Sequence, residues 1–195
     1  MVPIWFRHWG LSTKTGKSDV QVGHINLAKS FNGTGEHFVS LVESLQDEGI
    51  DQHVVVRNVT LAKRLHAVEN VVVGPVVRSP ITAYCMMPRL DVVHIHDSSA
   101  GQVGLLLTLT RSIPYVLTHR GSIPTGLSPL MQAVYRRATS IICLDESDLA
   151  ILHHFDPMLR VYVVPDLARS GSAERHLKVY QNSQRIPTAG SNGIQ

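Results

Sequence analysis

Residues 91–107 read DVVHIHDSSAGQVGLLL, and their reading decides the fold. The run Val92, Val93, Ile95, broken only by histidines, reads as a strand buried on both faces. Ser98 can cap a helix that runs on to Arg111. Residues 113–118 form the next apolar run. A strand, a helix and a second strand joined by short loops pack as a parallel pair with the helix laid across them.

Working outward, the same alternation recurs. Upstream lie a strand over 22–28, a loop over 29–35 and a helix over 36–48 with Phe38, Leu41, Val42 and Leu45 on one face. Then follow a strand over 51–57, a helix over 60–67, a strand over 70–73 and a short helix over 81–88 that Pro88 terminates. Downstream come a helix over 130–138, a strand over 140–144, a helix over 147–155 and a strand over 160–164. The expectation is a doubly wound, mostly parallel Rossmann-like α/β sheet of about six or seven strands. Residues 1–20 read as a flexible leader, 21–167 as the domain and 168–195 as a polar, partly disordered tail. In that tail, Leu177, Val179 and Tyr180 could form part of a helix.

The composition narrows the function classes. A chain of 195 residues with 44% hydrophobic content buries one sizeable core, and 17% charged residues exclude a disordered polyelectrolyte. A net charge of +3 spread along the chain is no nucleic-acid footprint, though it suits an anionic substrate or weak membrane-surface association. Cys85 and Cys143 sit in apolar surroundings, which predicts reduced core residues in a cytoplasmic protein, placed if anything at the inner membrane face. No apolar h-region marks a signal peptide, and no run approaches the roughly 18 apolar residues of a membrane span.

Four stretches could carry chemistry. The first, GLSTKTGKS at 10–18, imitates a phosphate-binding loop, but five residues separate Gly10 from Gly16 where four are required. It also precedes a strand, where a helix is needed, so it reads as part of the basic leader. The second, residues 30–37, joins the first strand to the first helix. There Gly33, Thr34 and Gly35 would let backbone approach a phosphate at a helix N-terminus, or would simply make a tight turn. Asn32 and Glu36 flank them, and Glu36 would repel an anion.

The third is the strand end His94-Ile95-His96-Asp97. His94 and His96 share a face, and with His119 they could bind Zn²⁺. Alternatively His94 packs under a helix and bonds a backbone carbonyl while Asp97 caps the helix. That reading is preferred because no Cys and no further carboxylate falls at ligand spacing. The fourth, Thr118-His119-Arg120-Gly121-Ser122, could hold a phosphate or a sugar hydroxyl, unless Arg120 pairs with Asp97 or Asp145. His153 and His154 end a helix and suit its dipole.

Taken in order, NGTGEHFVSLVESLQDEG, DVVHIHDSSAGQVGLLL, IPYVLTHRGSIP, ATSIICLDESDLAIL and VYVVPD resemble the N-terminal, acceptor-side domain of family 4 glycosyltransferases of the GT-B fold. The resemblance spans residues 24–166. It implies transfer of a sugar, with retention, from a nucleotide-diphosphate sugar to a sugar or lipid-linked acceptor, with no cofactor beyond that substrate. It implies that Gly33, Thr34 and Gly35 approach the donor phosphates, that His96, Asn32 and Glu36 line the acceptor cleft, and that Asp97 and His119 act at the reacting centre. Arg120 is added to the phosphate site on local chemistry alone.

The chain departs from the family pattern at Asp145, where Ser is common, and at Pro165-Asp166-Leu167, where Pro-Asn-Gly is common. None of its six glutamates has another Glu eight positions later, so the paired glutamates of the donor-binding domain are missing. The expectation is therefore a truncated product or one half of a split enzyme, partnered by a separate donor-binding chain. Two alternatives stand beside it: a metal-dependent hydrolase using His94, His96, His119 and Asp145, and a non-catalytic sugar- or phosphate-binding module.

Overall fold

Seven strands, every adjacent pair parallel, run β1 (Gln21–Asn26), β2 (Asp51–Val56), β3 (Val71–Val73), β4 (Val92–Ile95), β5 (Tyr115–Thr118), β6 (Ser140–Cys143) and β7 (Val161–Val163). The computed structural model describes residues 20–121, 123, 127–165 and 171–185. The strands lie in the order β3-β2-β1-β4-β5-β6-β7, as in a doubly wound Rossmann-like sheet. The helices are α1 (Gly33–Asp47), α2 (Val59–Leu65), α3 (Pro80–Met86), α4 (Gly101–Arg111), α5 (Pro129–Arg137), α6 (Glu146–Phe155) and α7 (Ser172–Gln184).

Strand periodicity sorts the core into two faces. Val22, Val92, Val116 and Ile142 point to one face, under Leu41 and Leu45 of α1 and Val179 and Tyr180 of α7. Ile25, Val93, Ile95, Leu117 and Ile141 point to the other, under Val103 and Leu107 of α4, Val134 of α5 and Leu152 of α6. A third cluster seats Phe38 and Val42 of α1 and Leu61 and Leu65 of α2 on Val54 and Val56 of β2. Helix α4 lies so close to the sheet that a Cβ at Gly104 would stand 2.8 Å from the Tyr115 ring. Only glycine allows that approach.

Local chemistry sets the helix ends. Ser79 and Ser128 cap α3 and α5 through Thr82 N and Met131 N, each with Pro at the first helical position. Helix α3 stops at Met86, with Met87 extended just before Pro88.

Four sequence expectations are corrected. Helix α1 begins at Gly33, three residues early, because Asn32 is extended and its Oδ1 accepts from Thr34 N. Asp97, as the preferred reading of the strand end had it, and not Ser98, caps the entry to α4, accepting from Ala100 N across a 3-10 turn over Ser98–Ala100. Cys85 is exposed on α3, while Cys143 is buried. Residues 172–184, read as tail with part of a helix around Leu177, Val179 and Tyr180, form the whole of α7, and Val179 and Tyr180 are core residues. The P-loop-like stretch at 10–18 and residues 186–195 lie outside the described residues. No helix among the described residues is long and apolar enough to cross a membrane.

Candidate functional site

The strand order reverses direction between β1 and β4, which opens a crevice beyond their carboxyl ends, the place where such sheets bind ligands. The loop after β1 leads to Asn32 and α1, and the loop after β4 carries His96 and Asp97. One residue closes the crevice floor. Asp97 Oδ2 accepts from Leu27 N at 2.6 Å, while Oδ1 accepts from Ala100 N at 3.2 Å and from Ser99 Oγ. Both carboxylate oxygens are thus engaged, Oδ2 in tying the ends of β1 and β4 together and Oδ1 in capping the turn that follows. Asp97→Ala is expected to lower stability by about 2–3 kcal/mol, read from urea denaturation, because it removes a cap and leaves the Leu27 amide without its acceptor, while Ala100 N keeps the Asp97 carbonyl at 3.1 Å. Unchanged stability would refute that stitching role.

At the start of α1, Asn32 spends its side chain on Thr34, accepting from N at 3.2 Å and from Oγ1 at 2.5 Å. Gly33 and Gly35 differ in why they are glycine. A Cβ on Gly35 would lie 2.7 Å from the Phe31 ring, so packing explains it. A Cβ on Gly33 would meet nothing within 4 Å, and Gly33 is not among the positive-φ residues. Neither packing nor backbone conformation asks for glycine there, and the first turn of α1 is open at that point. The charge of Glu36 is answered by Arg64 on α2 at 2.8 Å, so it opposes an anion less than the sequence implied. Both side chains are about half exposed, so that pair contributes little to stability.

His24, His94 and His96 gather on the face covered by α1 and α7. The register places His24 beside His94. His24 Nδ1 and His96 Nε2 share a hydrogen bond of 3.0 Å. His94 is bonded at both nitrogens, Nδ1 with the Tyr180 hydroxyl at 2.7 Å and Nε2 with Thr118 Oγ1 at 2.6 Å, so its partners are hydroxyls and not the expected carbonyl. His24 Nε2 finds no partner at hydrogen-bonding geometry, although the Gln52 side chain lies near enough to offset a little of the burial effect.

Burial drives His24 down to about 3 and His176 of α7 to about 4. It holds His94 and His96 well below the ordinary value, with the neighbouring histidines and Arg120 adding repulsion. All four are neutral at physiological pH.

The three ligand atoms of His24, His94 and His96 lie within 4.8 Å of one another. The rings of His94 and His96, however, lie with centroids 4.0 Å apart and planes tilted by 39°. Imidazoles converging on one tetrahedral ion hold their ring centres about 5 Å apart. Both His94 nitrogens are already bonded, and the three imidazoles form a buried cluster in which His24 and His96 share a hydrogen bond.

The hydrolase constellation is not assembled. Continuing the register puts Thr118 level with His96 and on its face, so His119 turns to the opposite face, where Nδ1 bonds the Tyr135 hydroxyl of α5 at 2.9 Å. Asp145 caps α6, accepting from Asp148 N at 2.9 Å and Ser147 Oγ at 2.6 Å. Arg120 is partly buried, and its charge is felt by His94, His96 and His176 on the α1 side. The crevice therefore has two walls: α1, His96 and Arg120 on one, and His119 on the other, with Asp97 between. Sequence reading passed over His24, Gln52, Tyr135 and His176, and named Tyr180 only as part of a possible helix. Only His24 left a signal, two residues after Val22 on the same strand face.

No protein-family model and no curated protein matches the chain. Among solved structures, Anabaena HepE in complex with UDP-glucose is similar with a TM-score of 0.61 and 11% identity over 83% of this chain and 50% of that one. HepE in complex with UDP gives 0.59 and 10% identity, covering 82% of this chain and 50% of that one. Apo UGT2 of Phytolacca americana gives 0.50 and 14% identity, covering 90% and 59%. The chain thus spans about half the length of the HepE structures it matches, and the likeness establishes a shared α/β, Rossmann-like fold.

Proposed function

We propose that this chain is the acceptor-side domain of a family 4-like glycosyltransferase, which moves a sugar from a nucleotide-diphosphate sugar to a sugar or lipid-linked acceptor with retention. The observation that carries the reading is Gly33. It opens the first turn of α1 onto empty space at the switch point of a fold shared with a UDP-glucose complex. A diphosphate oxygen placed there meets a helix N-terminus, with Arg120 contributing positive charge from the same side of the strand ends. His96 and Asn32 line the acceptor side, and a second Rossmann-like domain, on another chain or a longer polypeptide, holds the nucleotide. Contact with an anionic membrane surface would suit a lipid-linked acceptor.

The test is calorimetric titration of the chain with UDP-glucose, UDP and GDP-sugars. One domain supplies part of the contacts, so a Kd of about 0.1–1 mM is expected, roughly 4–5.5 kcal/mol. Gly33→Leu should weaken binding at least about tenfold while leaving stability unchanged or raised, since leucine is the better helix former. Absence of binding by the unmodified chain at millimolar ligand would sink the proposal, as would a Gly33→Leu protein that binds normally.

A further inference from the structure

We propose that Tyr135 is a positioning residue that holds the His119 imidazole in its Nε2–H tautomer, so that His119 serves the reaction as a neutral hydrogen-bond donor and not as a base. This rests on the transferase reading above for its purpose, though not for its geometry. The Tyr135 hydroxyl and His119 Nδ1 lie 2.9 Å apart, with the rings edge to face at 5.7 Å. Both side chains are buried, His119 at 4% and Tyr135 at 6% exposure. Tyr135 is itself fixed by an edge contact with Phe155 at 5.8 Å. The pair therefore has little freedom to choose another arrangement.

Two protonation patterns satisfy that contact, and chemistry selects between them. An imidazole nitrogen is a far stronger acceptor than a phenol oxygen, and a phenol is a good donor, so the O–H of Tyr135 donates to Nδ1 and the ring proton resides on Nε2. Burial raises the Tyr135 hydroxyl above its ordinary value, which keeps its proton in place. Burial likewise lowers His119, against a smaller opposing pull from the Asp148 carboxylate and the Gly121 backbone, so the imidazole stays neutral. Among the described residues His119 Nε2 has no partner at hydrogen-bonding geometry, although the Gly121 backbone lies near enough to offset a little of the burial effect. A buried N–H left this way is costly unless a ligand completes it. At the carboxyl edge of β5, the fitting ligand atom is a sugar hydroxyl or phosphate oxygen, an acceptor in either case.

The experiment uses the whole chain labelled with ¹⁵N-histidine and long-range ¹H–¹⁵N correlation spectra, the His119 signals being assigned with His119→Gln. The unmodified protein should show His119 protonated at Nε2 and bare at Nδ1. Tyr135→Phe, which removes one oxygen and keeps the ring, should release the tautomer to a mixture and weaken UDP-glucose binding about tenfold. Protonation at Nδ1 in the unmodified protein, or an unchanged tautomer in Tyr135→Phe, overturns the inference. The expected tautomer together with no UDP-glucose binding by the unmodified chain would instead overturn the transferase reading, and so the two failures are distinguishable.

Discussion

Lowering the pH from 7.5 to 5 is expected to cost this domain most of its stability and to release α7 first. The groups responsible are His24, His94, His96 and His176. They are faced by Gln52 from β2, Thr118 from β5, Arg120 after it, His37 and Phe38 of α1, and Tyr180 of α7. No carboxylate is among these neighbours to compensate a proton.

The sign follows from the shifts. The folded values, about 3 for His24 and about 4 for His176, lie below the unfolded value of 6.5, so the unfolded chain binds more protons in between. The contribution is intact above pH 6.5 and is lost as the pH falls towards 4. At pH 5 each buried imidazole costs about 2 kcal/mol, at about 1.4 kcal/mol per pH unit. His24 and His176 together amount to roughly 4 kcal/mol against a typical total of 5–15 kcal/mol, and His94 and His96 act in the same direction. Melting temperature followed by circular dichroism should fall steeply between pH 6.5 and 5, above the range where carboxylates titrate. A flat profile down to pH 5 would refute this account, and His176→Gln should make the decline shallower.

The second large effect concerns Tyr180, which is fully buried between α7 and the sheet. Its ring packs with Val22, Leu41 and Val179, and its hydroxyl meets His94 Nδ1. Tyr180→Ala removes the ring and orphans a buried nitrogen, for an expected loss of about 3–5 kcal/mol. Tyr180→Phe keeps the ring and loses only the hydrogen bond, about 1–2 kcal/mol. Urea denaturation of the two variants separates packing from bonding. A loss below about 1 kcal/mol for Tyr180→Ala would mean that α7 is not an integral layer of this domain.

Those two residues also show where sequence reading reached its limit. The alternation of apolar strands and amphipathic helices from β1 to β7 was legible because period-2 and period-3.6 patterns are local consequences of burial. Gly33, His96, Asp97 and His119 could be placed at strand ends for the same reason, since a strand's carboxyl end is marked by where its apolar run stops. Helix α7 was legible only as a fragment. Its polar residues outnumber its apolar ones, and nothing local shows that Val179 and Tyr180 meet β4 and β5 some sixty to ninety residues away.

What the sequence by itself determined is the layer order, the parallel sheet and the list of chemically capable side chains, because each depends on neighbours a few positions apart. Only the tertiary structure decided which of them meet. Register between β1 and β4 brought His24 to His94 and His96, and a single step of strand alternation sent His119 to the opposite face and onto Tyr135. The physical reason is that pairing register and face are settled between strands far apart in sequence, by whichever arrangement buries the apolar sets of both. In this chain that arrangement placed His94 and His96 in a buried histidine cluster with His24 and left His119 as a separate, tyrosine-held imidazole.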